Sequence, residues 1–125
     1  MHKVPPMIFD ENLARGAQAY AEKLHGAGEF LGYSNTGFGE NIIWNTNKEE
    51  CYETSWASDQ WYKKEIDRVD WNDLKLAKGT YHLTQMIWKS STKLGMGIKG
   101  KYVVARYKEV GNVEGCFDAN VFPKN

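Results

Sequence analysis

The chain has few cysteines, no net charge and no long apolar run. Its two cysteines, Cys51 and Cys116, lie far apart in a chain of 125 residues. Small secreted scaffolds built on disulfides carry more, at regular spacing, so that class is set aside. Two free thiols are preferred over one bridge. That suggests either a reducing compartment or a secreted domain whose core suffices without staples. The 16 basic and 16 acidic residues cancel, so the basic footprint of a nucleic-acid binder is missing and no nucleic-acid partner is expected. Lys99-Gly100-Lys101 is a patch that can touch anionic lipid headgroups, but solvated turn lysines are the preferred reading. No apolar stretch approaches the roughly 18 residues of a membrane span. The run Met1 to Pro6 contains neither an apolar signal segment nor a Met-Gly-x-x-x-Ser/Thr start, and no Asn-x-Ser/Thr sequon occurs. His-Glu-x-x-His, Cys-x-x-Cys and Gly-x-Ser-x-Gly are also missing, so zincin, thiol-redox and nucleophile-elbow chemistry have no support.

Aromatic residues are abundant, with five Trp, seven Tyr and five Phe. Large aromatic side chains supply buried area, and a chain of this length forms one domain that buries roughly two-thirds of its extended surface. Pro5-Pro6 fixes an extended lead-in. Asp10 can cap a helix on which Leu13, Ala17, Tyr20, Ala21 and Leu24 share a face, closed by His25-Gly26. Residues 26–39 read as a glycine-rich loop. Asn45 to Glu50 carries a helix-start signal. The helix it opens should run to Ile66 or Arg68, with the pairs Tyr52/Trp56, Ala57/Trp61 and Tyr62/Ile66 stepping round it. Such a helix is buried on several sides.

After a polar connection from Val69 to Thr80, Leu83, Met86 and Ile87 predict a short helix from His82 to Trp88. Lys93 to Lys99 alternates Leu94, Met96 and Ile98 on one face. Tyr102 to Tyr107 is β-branched and aromatic, and Lys99-Gly100 suits the hairpin turn between them. The tail from Gly111 reads as irregular, with Phe117, Val121 and Phe122 available to pack. This order predicts an α+β domain with helices on an antiparallel sheet. Gly95 to Gly100 matches Gly-x-Gly-x-x-Gly, but it runs along a strand into a hairpin. A dinucleotide site needs that pattern between a strand and a helix. The glycines are read as relieving crowding against another layer.

Two titratable residues stand out. His82 heads the amphipathic stretch Tyr81-His82-Leu83-Thr84-Gln85-Met86-Ile87-Trp88. Glu40 lies in Gly39-Glu40-Asn41-Ile42-Ile43-Trp44. The plain reading of His82 is a helix-start histidine bonded to backbone. Partial burial of Glu40 would raise its pKa unless a histidine or backbone donor stabilised the charge. A mutual Glu40–His82 contact would satisfy both groups.

These two segments resemble the Gly-His-Phe-Thr-Gln-Met-Val-Trp and Gly-Glu-Asn-Leu motifs of the CAP superfamily (cysteine-rich secretory proteins, antigen 5, pathogenesis-related 1). His2-Lys3-Val4-Pro5-Pro6-Met7 and the run Leu13 to Ala21 are similar to two further family motifs. Val103-Val104-Ala105-Arg106-Tyr107 to Gly111-Asn112-Val113 resembles the family's second signature. Ala105 stands where secreted members usually have cysteine, which points to the cysteine-poor branch.

The resemblance implies a CAP-type α-β-α sandwich with an antiparallel sheet. The family helix ahead of the His-x-x-Pro-Pro segment is missing, as in a truncated copy or one whose bare face a partner covers. It also implies a cleft where two histidines and two glutamates hold a divalent cation, commonly zinc. Glu40 matches the first glutamate and His82 the second histidine. Glu65 is the candidate for the second glutamate, one residue further from Trp61 than in the family, a shift that a π-bulge would absorb. Tyr33-Ser34 takes the place of the first histidine and its serine. A phenol stays protonated at neutral pH and ligates zinc poorly. No cofactor is therefore required, and at most a weak divalent cation is expected on His82, Glu40 and Glu65.

The function so implied is non-catalytic binding of a lipid (sterol, fatty acid or anionic membrane lipid), of a protein partner, or of a second copy in a homodimer. A metal-assisted hydrolase or peptidase using His82 and Glu40 is the alternative, and a secreted effector or allergen-like protein a third. The compartment stays open between extracellular and the Golgi or cytosolic membrane face of the cysteine-poor branch.

Overall fold

The computed structural model describes residues 2, 6–34, 36–44, 54–77 and 79–124. The first helix, α1 (Glu11–Ala27), starts where the sequence predicts. The Asp10 carboxylate accepts the Leu13 N–H at 2.9 Å, satisfying one of the N–H groups left over at any helix start. Leu13, Ala17, Ala21 and Leu24 form its buried stripe. The helix ends two residues later than expected. Gly26 stays helical, and Gly28 takes the left-handed position at φ 73°, its N–H bonding the Leu24 and His25 carbonyls.

Among the described residues the sheet has four strands, in the order β1-β3-β4-β2. They are β1 (Ile8–Phe9), β2 (Gly39–Trp44), β3 (Lys93–Lys99) and β4 (Tyr102–Lys108). The β3–β4 hairpin falls where predicted. The segment Gly39–Trp44, read as a motif and not as a strand, pairs antiparallel with β4. The two-residue β1 pairs parallel with β3, so the expected antiparallel sheet carries one short parallel edge. The second helix, α2 (Thr54–Glu65), runs on as a 3₁₀ turn, Ile66–Arg68. The predicted helix start at Asn45–Glu50, Tyr52 and Cys51 lie outside the described residues. The third helix, α3 (Tyr81–Met86), is shifted and shorter than the predicted His82–Trp88, and the tail contains one helical turn, α4 (Phe117–Asn120).

Strand β4 is buried on both faces. Tyr102 and Val104 pack with Ile42 against Ala17, Ala21 and Leu24 of α1. Val103, Ala105 and Tyr107 pack against Ala57 and Trp61 of α2, with Ile43, Leu94, Met96 and Ile98 alongside. Leu83, Ile87, Trp88, Phe117 and Val121 make a third cluster, reached by Tyr62 of α2 and by Ile66 of the 3₁₀ turn that follows it. Helix, sheet and helix layers therefore stack as expected, and α2 is buried on more than one side.

The strand glycines have the predicted role. A Cβ on Gly95 would overlap the Ala14 backbone nitrogen, and one on Gly97 would overlap the backbone of Gln18. Gln18 also bonds both backbone groups of Ile98, at 2.9 and 2.8 Å. We expect Gly97→Ala to lower the unfolding free energy by about 2 kcal/mol or more, since overpacking here meets backbone that cannot give way. Gly26→Ala, which faces open space within α1, should raise it by about 0.5–1 kcal/mol. Urea denaturation of the two variants measures both.

Candidate functional site

His82 is the second residue of α3, and Glu65 is the last of α2. The imidazole Nδ1 lies 2.8 Å from Glu65 Oε2, and the Leu83 N–H donates to Glu65 Oε1 at 3.1 Å. One buried carboxylate thus orients the ring and satisfies a free N–H of the α3 start. The Trp61 indole lies parallel to the imidazole, 5.6 Å between centroids and 9° between planes. Trp61 and Glu65 are one α-helical turn apart and share a face. α2 remains α-helical through Glu65, so the π-bulge expected from the sequence is not formed.

Glu40 is placed differently. It stands opposite Arg106 in the β2–β4 register. Successive side chains of a strand point to opposite faces. Glu40, Ile42 and Trp44 therefore face α1, while Asn41 and Ile43 face α2 and α3. Glu40 accepts from Arg106 Nε at 3.1 Å, from the Ser34 N–H at 2.7 Å and from Ser34 Oγ at 2.6 Å. Arg106 Nη2 also donates to Ser34 Oγ at 3.0 Å. The direct Glu40–His82 contact expected from the sequence is not made, because strand alternation turns the carboxylate to the other face. Asn41 reaches towards α3 instead, donating to the His82 carbonyl at 2.9 Å and to the Tyr107 hydroxyl at 3.2 Å.

Between the two groups stand Tyr33 and Tyr81. They line a hollow of about 320 Å³ together with His82, Phe30 and the strand residues Ile42, Ile43 and Trp44. They also line a second hollow of about 230 Å³ that holds Glu40. The shared hollow expected for Glu40 and His82 is thus split by a tyrosine partition. Burial, the hydrogen bond to Tyr81 and the negative charges of Glu40 and Glu65 all push the Tyr33 phenol well above its ordinary pKa. The remaining motif residues hold the scaffold. Thr84 Oγ1 donates to Asn112 Oδ1 at 2.6 Å. Gln85 accepts from the Gly111 N–H at 2.8 Å and donates to Ser91 Oγ at 2.9 Å.

The family's metal site does not fit this donor set. The Glu65 oxygens are taken by His82 and the Leu83 N–H. The Glu40 oxygens are taken by Ser34 and Arg106 on the opposite face, and Tyr33 is held protonated. Among the described residues no group of three or more His, Cys, Asp or Glu side chains is arranged to hold a metal ion. His2 offers no substitute. It is buried elsewhere, its Nδ1 bonded to the Phe122 carbonyl at 2.9 Å and its Nε2 to the Tyr62 hydroxyl at 2.8 Å. Cys116 is a free, exposed thiol.

Sequence reasoning did not pick out Arg106, Asn41 or Phe30 as site residues. Arg106 and Asn41 become legible once β2 is paired with β4, since the register then sets Glu40 against Arg106 and turns Asn41 the other way. Phe30 carried no local signal; it comes from the loop to stack on Trp44, with 4.9 Å between centroids.

Glu40 and Arg106 are a buried pair, so removing one partner leaves an uncompensated charge. Arg106→Met should cost about 3 kcal/mol or more of stability by this reasoning. Adding Glu40→Gln to it should recover part of that loss, as thermal denaturation of the single and double variants will show.

A family model described as CAP, cysteine-rich secretory protein family, matches residues 1–107. The chain is 36% identical over 133 aligned residues to human Golgi-associated plant pathogenesis-related protein 1, covering 98% of this chain and 83% of that one. It is 32% identical to Protein PRY2 of Saccharomyces cerevisiae, over 94% of this chain but 35% of the yeast protein. Among solved structures, Na-ASP-1 superposes with a TM-score of 0.66 at 24% identity, over 90% of this chain and 32% of that one. With its mixed sheet between helical layers and its matched motifs, the chain belongs to the CAP, or cysteine-rich secretory protein, family.

Proposed function

We propose that this protein is a non-catalytic CAP domain that binds an apolar ligand in the aromatic hollow beside β2. The ligand is a lipid (sterol, fatty acid or membrane lipid) or the apolar side chains of a protein partner. The observation that carries the reading is the hollow itself. Its walls are aromatic and aliphatic, and Phe30, Tyr33 and Trp44 remain exposed around it. Exposed aromatics gathered round a concavity are the usual mark of a binding site. The human relative is named as Golgi-associated, whereas two Candida albicans relatives are named as secreted proteins, so the names support either setting.

The reading is tested by titrating the protein with a fluorescent fatty acid, a fluorescent sterol and phosphatidylserine vesicles. Phe30→Ala and Trp44→Ala should each weaken binding by about tenfold, the effect of truncating an aromatic anchor. Affinities unchanged in both variants would remove the hollow from the function. We also propose that any divalent cation is held weakly. Calorimetry should find a zinc dissociation constant above about 1 µM, given a single imidazole and carboxylates already engaged.

A second reading, a hydrolase, is favoured by one observation. The carboxylate of Glu65 orients the His82 imidazole as it would a general base. Glu40, the other base considered, is engaged by Arg106. Hydrolytic activity in a protease-free preparation, lost in His82→Ala, would establish that reading in place of the first.

A further inference from the structure

We propose that His82 sets the ligand selectivity of the aromatic hollow: its Nε2 accepts a hydrogen bond from an uncharged hydroxyl, so the ligand is a ring-bearing alcohol or phenol. The inference rests on the reading of that hollow as an apolar-ligand site, and it names the polar group that the site selects.

Glu65 decides where the imidazole proton sits. Its Oε2 lies 2.8 Å from His82 Nδ1, and its Oε1 accepts the Leu83 N–H at 3.1 Å. The oxygens of an ionised carboxylate can only accept. Nδ1 therefore carries the proton, and in a neutral imidazole the lone pair is then on Nε2. Trp61 lies parallel to the ring and Tyr81 leans over it, with 5.6 and 4.2 Å between centroids. Ring contacts of this kind hold the imidazole plane, so proton and lone pair keep their directions. His82 is a partly exposed wall residue of the hollow, and its Nε2 has no partner among the described residues.

The other walls choose what carries the hydroxyl. Phe30, Trp44 and the two tyrosines present rings, which suits a flat aromatic or alicyclic body. The Tyr33 and Tyr81 hydroxyls bond to each other. A volume of about 320 Å³ is small for a ligand pocket and matches a compact ring system. Among the described residues no lysine or arginine lines the hollow. A carboxylate would find no cation there, and would face the Nε2 lone pair with Glu65 behind it. A ketone or ether likewise sets lone pair against lone pair. A hydroxyl turns its proton to Nε2.

The Leu83 N–H makes this selectivity reversible by one substitution. In Glu65→Gln the amide oxygen is still needed as acceptor for that N–H, so the amide NH₂ turns to Nδ1. Nδ1 must then accept, and the imidazole proton moves to Nε2. The same ring now donates into the hollow.

The test titrates fluorenol, fluorenone and fluorene carboxylate, which share one ring skeleton, into the protein by calorimetry at mildly alkaline pH. The unaltered protein should bind the alcohol roughly tenfold or more tighter than the ketone or the carboxylate. Glu65→Gln should raise the ketone to about the affinity of the alcohol. His82→Phe, which keeps a ring beside Trp61, should bind alcohol and ketone equally and weakly. Loosened packing alone would weaken both compounds and leave their ratio unchanged. Equal affinities in the unaltered protein, or a preference for the alcohol that survives in either variant, would overturn the inference. Binding of the fatty-acid probe with no fluorene compound bound at millimolar concentration would also overturn it, while leaving an apolar ligand hollow in place. Failure of every probe would remove both readings.

Discussion

The burial of β4 on both faces is the constraint on which the rest of the domain depends. From Tyr102 to Tyr107 every residue is buried, and alternate side chains serve opposite layers. Once β2 is paired against this strand, its faces follow without further choice. Glu40 must meet Arg106 on the α1 face, and Asn41 must meet Tyr107 and the His82 carbonyl on the other. A one-residue slip would exchange these sets and place a carboxylate among Trp61, Ala105 and Tyr107. Register is strongly specified wherever a slip buries the wrong group. The two side-chain pairs, Glu40–Arg106 and Glu65–His82, are therefore separate devices on separate faces, each closed on itself.

The tyrosine partition gives the cleft its character. Tyr33 and Tyr81 contribute ring surface, and burial holds the Tyr33 phenol protonated, where an imidazole would have brought a metal ligand and a titrating charge. Their rings divide one polar cavity into a small polar hollow around Glu40 and an apolar one along β2. The apolar one shares its walls with the orienting pair of His82 and Glu65. It is thus a space with aromatic sides, one available ring nitrogen and a strand backbone along its floor.

Much of this was legible in the sequence, for identifiable reasons. The Asp10 cap, the buried stripe of α1, the β3–β4 hairpin and the crowded glycines follow from local chemistry, and tertiary packing did not overrule it. Glu40, Glu65, His82 and Tyr33 could be singled out because motif spacing marks them. Which of them touch could not be read from spacing. Motif spacing brackets Glu40 with His82, but the two-residue period of β2 separates them in space, and a motif carries no sign of that period. Glu65 looked misplaced by one residue, yet an ordinary α-helical turn after Trp61 carries it to His82. The parallel pairing of β1 and the turn at Phe117–Asn120 are too short to leave a periodic signal, and tertiary contacts set them.

The direct contact between α1 and β3 has a dynamic consequence. At Gly95 and Gly97 the helix rests on strand backbone, with no layer of side chains between them to slide or repack. Such a seam has no partly open arrangement of low energy. The two elements should part only together, in a single cooperative opening. Helix and strand thus behave as one welded unit, whose parts exchange with solvent together or not at all.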